Sequence, residues 1–214
     1  VPELAKDLGD RYGVPYTTNI DEILDNPDIQ GVYIAVPHYL HAPLTIKAAK
    51  AGKHVMVEKP ICTTLEDADA MIEAAKEGGV ALSVCFVTRY LATSIKAKEL
   101  IDMGAIGSII GVKMVTLGDK PDTYWSGGYS GRAKSDWRTS KAKSGGGVLI
   151  MNVSHNIDLI RYLTGLEVKE IYSQYGTFST EVEVEDQLVA TLRYDNGAIG
   201  SIIAGSCIRG GRGL

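Results

Sequence analysis

Apolar residues in the first hundred positions follow two alternating rhythms, one helical and one short and unbroken. Leu4, Ala5 and Leu8 share a helical face behind Pro2, which suits a first helical position, and Gly13 stops that helix. Ile20 to Leu24 predicts a second, shorter one. Gly31-Val-Tyr-Ile-Ala-Val36 is almost wholly apolar, the pattern of a strand covered on both faces, and Pro37 ends it. Leu40 to Ala51 reads as a helix closed by Gly52, and His54 to Val57 as the next strand. Thr63-Thr-Leu-Glu66 has capping-box spacing and opens a helix to about Gly78, after which Val80 to Cys85 is a third short strand. With a helix from about Leu91 to Met103, the alternation predicts βαβ crossovers around a parallel sheet.

Beyond Ile109 the extended runs lengthen: Ile109 to Leu117, Val168 to Thr177, Glu183 to Tyr194 and Ala198 to Gly205. They predict a mainly antiparallel sheet. Asp195-Asn196-Gly197 carries the Asn-Gly hairpin signal, and Glu181-Val-Glu-Val-Glu185 alternates like a strand with one wet face. The main helix of this half runs from Leu149 to Leu163 and ends at Gly165. Before it lies a polar, glycine-rich loop from Gly118 to Gly147; loops longer than about 15 residues in a compact domain are usually functional or mobile. The expected class is α/β: a partial Rossmann-type parallel sheet over residues 1–104, then a partial α+β domain with a mainly antiparallel sheet over residues 105–214.

Composition narrows the function. Of 214 residues, 45% are hydrophobic and 22% charged, which supplies a core and excludes disorder as the main state. Lys and Arg number 22 against 26 Asp and Glu, a net charge of −4 with no basic block, so no nucleic-acid partner is expected. No apolar run approaches the ~18 to 20 residues of a membrane span and no leader pattern opens the chain, so neither membrane insertion nor export is expected. Cys62, Cys85 and Cys207 are odd in number and form no C-x-x-C, which predicts no disulfide frame or thiolate metal site and a cytoplasmic location. A doubly wound nucleotide fold opens on a strand, a G-x-G-x-x-G turn and a helix, whereas this sequence opens on a later helix and ends at Arg209-Gly-Gly-Arg-Gly-Leu214; it reads as an internal piece of a longer chain.

The stretch from Ala35-Val-Pro-His-Tyr-Leu-His41 through Gly52-Lys-His-Val-Met-Val-Glu-Lys-Pro60 resembles the Gfo/Idh/MocA family of NAD(P)-dependent oxidoreductases. Glu58-Lys59-Pro60 matches that family's EKP motif, and Gly145-Gly-Gly147 followed by His155-Asn-Ile-Asp158 resembles its catalytic-helix motif. The resemblance implies hydride transfer between NAD or NADP and a hydroxyl carbon of a sugar, sugar derivative or polyol. It also implies a homodimer or homotetramer formed through the antiparallel sheet. About 35 to 40 residues carrying the phosphate-binding turn would then precede the chain.

Chemistry assigns roles to the matching positions. Lys59 follows a strand's carboxyl end, where ligands sit in open α/β sheets, and its charge suits an alkoxide developing as hydride leaves carbon. His155 is either a satisfied core histidine or, as the motif implies, the general base for the hydroxyl proton. Asp158, three residues on, either fixes the imidazole or supports the helix. By resemblance, Pro37, His38 and His41 face the cofactor, with Glu58 as an orienting or ribose-contacting group. Arg89 and Tyr90 follow the third strand and are candidate cofactor or substrate contacts, with Arg89 assigned to the cofactor.

Trp137-Arg138 either borders the substrate pocket, an aromatic face and a forked cation suiting a sugar with polar or acidic groups, or anchors the loop. The glycine run is expected to be a hinge or a close-approach site. One departure stands out: where the family's fullest pattern has an Asp four residues before the histidine, this chain has Met151, with Asn152 beside it about 100° away on an ideal helix. Asn152 therefore joins the expected substrate contacts as an imperfect stand-in. His38, His41, His54 and Glu58 lie close in sequence, but their spread over helix start and strand start argues against a metal site. Met151 also leaves a competing reading, a dehydrogenase-like sensor that binds nucleotide or sugar without turnover.

Overall fold

The computed structural model describes residues 2–129, 131 and 134–208, so the closing Arg209 to Leu214 run lies outside the described residues. The chain forms two compact units, Val1–Val84 and Cys85–Leu214.

The first unit runs α1 (Pro2–Tyr12), α2 (Ile20–Leu24), β1 (Gly31–Ile34), α3 (His41–Lys50), β2 (His54–Val57), α4 (Leu65–Glu77) and β3 (Leu82–Val84). The three strands are parallel in the order β1-β2-β3, with Gly31 opposite His54 and Val55 opposite Leu82. Helix α4 is capped by Thr64, whose hydroxyl accepts from Asp67 N at 3.1 Å, one residue later than the expected cap at Thr63. Ile34, Val55 and Val57 are buried with Ala42, Ala48 and Met71. The opposite face differs from expectation, since Tyr33 is 56% and Met56 46% exposed. The strand order steps in one direction, and right-handed crossovers taken in one direction place α3 and α4 on the same face. The apolar run at residues 31–36 signals β-propensity on both faces, while the helices described here cover one.

The second unit contains α5 (Ala92–Asp102), β4 (Gly111–Leu117), α6 (Asp122–Gly127), α7 (Lys141–Ser144), α8 (Ser154–Thr164), β5 (Val168–Gly176), β6 (Gln187–Tyr194) and β7 (Ile199–Gly205). Its sheet has the order β4-β7-β6-β5, antiparallel between β5, β6 and β7 and parallel between β4 and β7. Leu188, Ala190, Leu192 and Tyr194 alternate into a core shared with Met114, Val153 and Ile202. The β6–β7 hairpin turns at Gly197, with φ +85°, where Asn196 Oδ1 accepts from Ala198 N at 2.9 Å. The long loop before α8 holds two short helices.

Residues 181–185 are not a strand. Asp186, fully buried, accepts hydrogen bonds from Phe178 N (2.9 Å), Ser179 N (2.8 Å), Thr180 N (3.2 Å) and Thr180 Oγ1 (3.1 Å), which folds the chain into a turn before β6 can begin. Burial works to raise the Asp186 pKa, but these bonds from Ser179, Phe178 and Thr180 prevail and hold it below the usual carboxylate value. A lowered folded-state pKa gives stability that is present above the unfolded pKa and lost as pH falls through the folded value. Asp186→Asn should therefore cost about 2 to 4 kcal/mol at pH 7. In urea titrations the gap to the wild type should narrow below about pH 4; a gap independent of pH would contradict the ionised assignment.

Candidate active site

In the first unit, two turns at the carboxyl ends of β1 and β2 bring the expected residues together. Pro37 leads from β1 into a single 3₁₀ turn over His38–Leu40, in which His38 is buried, and α3 starts at His41. Beyond β2, Glu58 Oε2 accepts from Lys59 N at 3.1 Å, Glu58 Oε1 accepts the Tyr33 hydroxyl, and the Lys59–Pro60 peptide is cis. The two turns are tied through His41, which is wholly buried. Its Nδ1 lies 2.8 Å from Pro60 O and its Nε2 3.0 Å from Val36 O. Both ring nitrogens thus face backbone on either side of Lys59's turn, a positioning arrangement that sequence spacing does not reveal. His54 is engaged at the other end of the sheet, where its Nδ1 accepts from Ala81 N at 3.0 Å.

In the second unit, Arg89 stands in a 3₁₀ turn over Val87–Tyr90 and forks onto the buried Asp158. Nε donates to Oδ2 at 2.7 Å and Nη2 donates to Oδ1, with the guanidinium 5.4 Å from the Tyr162 ring. The hydrogen bond from Asp158 holds the Arg89 pKa above its ordinary value. Of the two roles open to Asp158, this pairing is the one that supports the helix, because it clamps α8 to the 87–90 turn. His155, on the same helix, meets the Phe86 ring edge to face with centroids 6.0 Å apart.

The start of this helix is set by Glu185. Its carboxylate accepts from Gly147 N (2.8 Å) and Leu149 N (3.0 Å), and its backbone carbonyl accepts from Val148 N (2.9 Å). These bonds satisfy N–H groups that a helix start leaves unpaired. A Cβ on Gly147 would fall 1.9 Å from Glu185 O, so the last glycine of the run is a close-approach site. Glu185 went unnoticed in the sequence because the alternating 181–185 segment reads as a strand.

Residues Leu149–Val153 form a π turn before α8, so the ideal 3.6-residue spacing used to place Met151 and Asn152 does not hold here. Met151 is buried with Tyr124, Trp125 and Val184, and the Tyr124 hydroxyl donates to its sulfur at 3.7 Å. Asn152 is part-exposed. Trp137 is buried, and Arg138 stacks over it at 4.4 Å and over Tyr124 at 4.9 Å, so the pair anchors the loop and also presents a cation. A largely apolar cavity of about 570 Å³ lies between the Ser154, Ile157, Asp158 and Arg161 stripe of α8 and the sheet, with Phe86 in its wall. His155 turns to Phe86 and is not in that lining, so the catalytic helix borders the cavity with a neighbouring face.

Residues 2–86 match the profile described as oxidoreductase family, NAD-binding Rossmann fold, and residues 94–214 that of the GFO/IDH/MocA C-terminal domain. The chain belongs to the Gfo/Idh/MocA oxidoreductase family. Among its Gfo/Idh/MocA relatives is levoglucosan dehydrogenase of Pseudarthrobacter phenanthrenivorans, 34% identical over 95% of this chain and 56% of that protein. Another is scyllo-inositol 2-dehydrogenase (NAD(+)) of Bacillus subtilis, 33% identical over 86% of this chain and 50% of the relative. The WlbA dehydrogenase of Bordetella pertussis, solved with NADH and UDP-GlcNAcA, superposes with a TM-score of 0.88 at 31% identity, covering 97% of this chain and 57% of that one. The chain spans about half the length of the curated relatives it matches.

Removing one member of the Arg89–Asp158 pair strands a buried charge, whereas replacing both removes it. Arg89 is part-exposed, so Arg89→Met should destabilise by about 2 kcal/mol, and Arg89→Met with Asp158→Leu by clearly less. Chemical denaturation of the four proteins of this cycle measures the coupling, and additive losses would mean that the pair does not hold the helix.

Proposed function

We propose that the full-length protein is an NAD(P)-dependent dehydrogenase acting on a hydroxyl carbon of a sugar, sugar derivative or polyol. The observation that carries this reading is the position of Lys59, directly beyond the carboxyl end of the middle parallel strand, with its backbone N–H held by Glu58. The chemistry of that edge fits a dinucleotide: a carboxylate and an ammonium, both part-exposed, stand beside the Pro37 turn. Pro37, His38, Glu58 and Lys59 would hold the cofactor, with Arg89 as a further contact and His41 bracing the two turns from behind. When bound, NAD(P) supplies the hydride acceptor, or the donor in the reverse direction.

This chain's own groups handle the rest of the oxidation. His155 takes the proton from the substrate hydroxyl as the carbon–hydrogen bond breaks and the carbonyl forms. Lys59 donates a hydrogen bond to the same oxygen and stabilises its developing negative charge. Trp137, Arg138 and Asn152 bind the substrate. The exposed Ile171, Tyr172 and Tyr175 on β5 support pairing of subunits through this sheet. Cys62, Cys85 and Cys207 are all free thiols, which supports a reducing, cytoplasmic setting. No helix among the described residues is long and apolar enough to cross a membrane.

Met151 favours a second reading, a sensor that binds without turnover, because a thioether cannot orient a hydroxyl as a carboxylate does. NAD(P)H formation by the full-length protein over a panel of sugars and polyols separates the two. Lys59→Ala and His155→Ala should each lower kcat by about 10²- to 10⁴-fold while the fold is kept. Tight cofactor binding with no turnover on any compound would favour the sensor.

A further inference from the structure

The loop before the catalytic helix inverts the charge of the molecule. Between Gly118 and Gly147 the sequence has six basic residues against three aspartates, in a chain whose net charge is −4. Two of the cations converge on one ring. Lys120 Nζ is 4.9 Å from the centroid of Tyr124 and 5.0 Å from that of Tyr129, and Arg138 Cζ is 4.9 Å from Tyr124. The two charges therefore lie no more than roughly 10 Å apart, about one Debye length at 0.1 M salt. Among the described residues neither forms an ion pair; Asp136 is taken by Lys143 at 3.0 Å, and Asp119 and Asp122 are exposed and unpaired.

The cations are seated rather than waving in solvent. Arg138 is sandwiched against Trp137 and Tyr124, and a Cβ on Gly128 would meet its Nη2 at 3.3 Å. Two like charges held on one buried aromatic repel each other, and an anion between them turns that cost into attraction. The neighbouring side of Tyr124 leads to the catalytic helix, since its hydroxyl donates to Met151 Sδ, four residues before His155. A carboxylate at position 151 would lie against this group and repel an anion; the thioether carries no charge.

Building on the dehydrogenase reading, we propose that Lys120 and Arg138, held on Tyr124, form a subsite for an anionic substituent, so that the substrate is a sugar or cyclitol bearing a carboxylate or a phosphate. Arg138 supplies a planar fork matched to either oxyanion and Lys120 a second point charge. The departure at Met151 is then part of substrate selection.

The test compares glucose, glucuronate and glucose 6-phosphate as probes of the full-length protein, by turnover with NAD(P) and by calorimetric binding. Charged sugars should exceed glucose at least tenfold in kcat/KM, the better of the two identifying the oxyanion. Lys120→Gln should reduce that charged-to-neutral ratio by tenfold or more, Lys120→Arg should restore it, and Lys143→Gln should leave it unchanged. Because the ratio is internal to each variant, partial loss of active protein does not move it. Oxidation without charge preference, or a ratio insensitive to Lys120→Gln, overturns the subsite while leaving the dehydrogenase reading intact. Calorimetric binding of a charged sugar that Lys120→Gln weakens, without turnover of any sugar, supports the subsite and removes the dehydrogenase reading.

Discussion

Glu185 does for the second unit what a splice plate does for a beam. One residue contributes three acceptors, two from its carboxylate and one from its carbonyl, to three successive N–H groups at the start of the helix that carries His155. Its backbone also approaches position 147 so closely that only glycine fits. The orientation of His155, the burial of Met151 and the reach of Asp158 toward Arg89 all descend from this anchorage, because each lies on the helix whose first turn it fixes. Since Glu185 directly precedes Asp186, the residue that folds the 178–180 turn, the anchor itself is held against the entry to β6.

In the first unit the equivalent work falls to His41. A buried imidazole between two carbonyl oxygens joins the turn after β1 to the turn after β2, the pair from which Glu58 and Lys59 project. Short strands of three and four residues leave such turns little support from the ladder itself. A side chain that spans them supplies the missing rigidity, and it does so from the start of α3, the first crossover helix.

Much of this was legible in the sequence because the signals were local. Alternating short apolar runs and capped helices placed every element of the first unit within a few residues, and Asn196-Gly197 marked the hairpin that the structure contains. What escaped was whatever depends on a distant partner. The coverage of β1 on one face depends on the direction in which strands are added, which no single strand encodes. The alternating glutamates at 181, 183 and 185 imitate a strand, yet Glu183 and Glu185 are spent on N–H groups 36 to 42 residues earlier in the chain. Arg89 and Asp158, 69 residues apart, were each singled out without their pairing being visible. A motif locates a residue on the chain, whereas its partner is a property of the fold.

The π turn at Leu149–Val153 has a consequence for how this helix tolerates change in length. A π turn holds roughly one residue more than an α turn for the same advance. Deleting one residue within it would let the segment relax to ordinary α-helical pitch without breaking the helix. Everything downstream would then rotate by about 100° around the axis, since each residue of an α-helix subtends that angle. His155 would leave Phe86 and Asp158 would leave Arg89 in a helix still intact by circular dichroism. The extra residue is thus a setting of angular phase, and length variation at this one place uncouples a folded helix from the groups it presents.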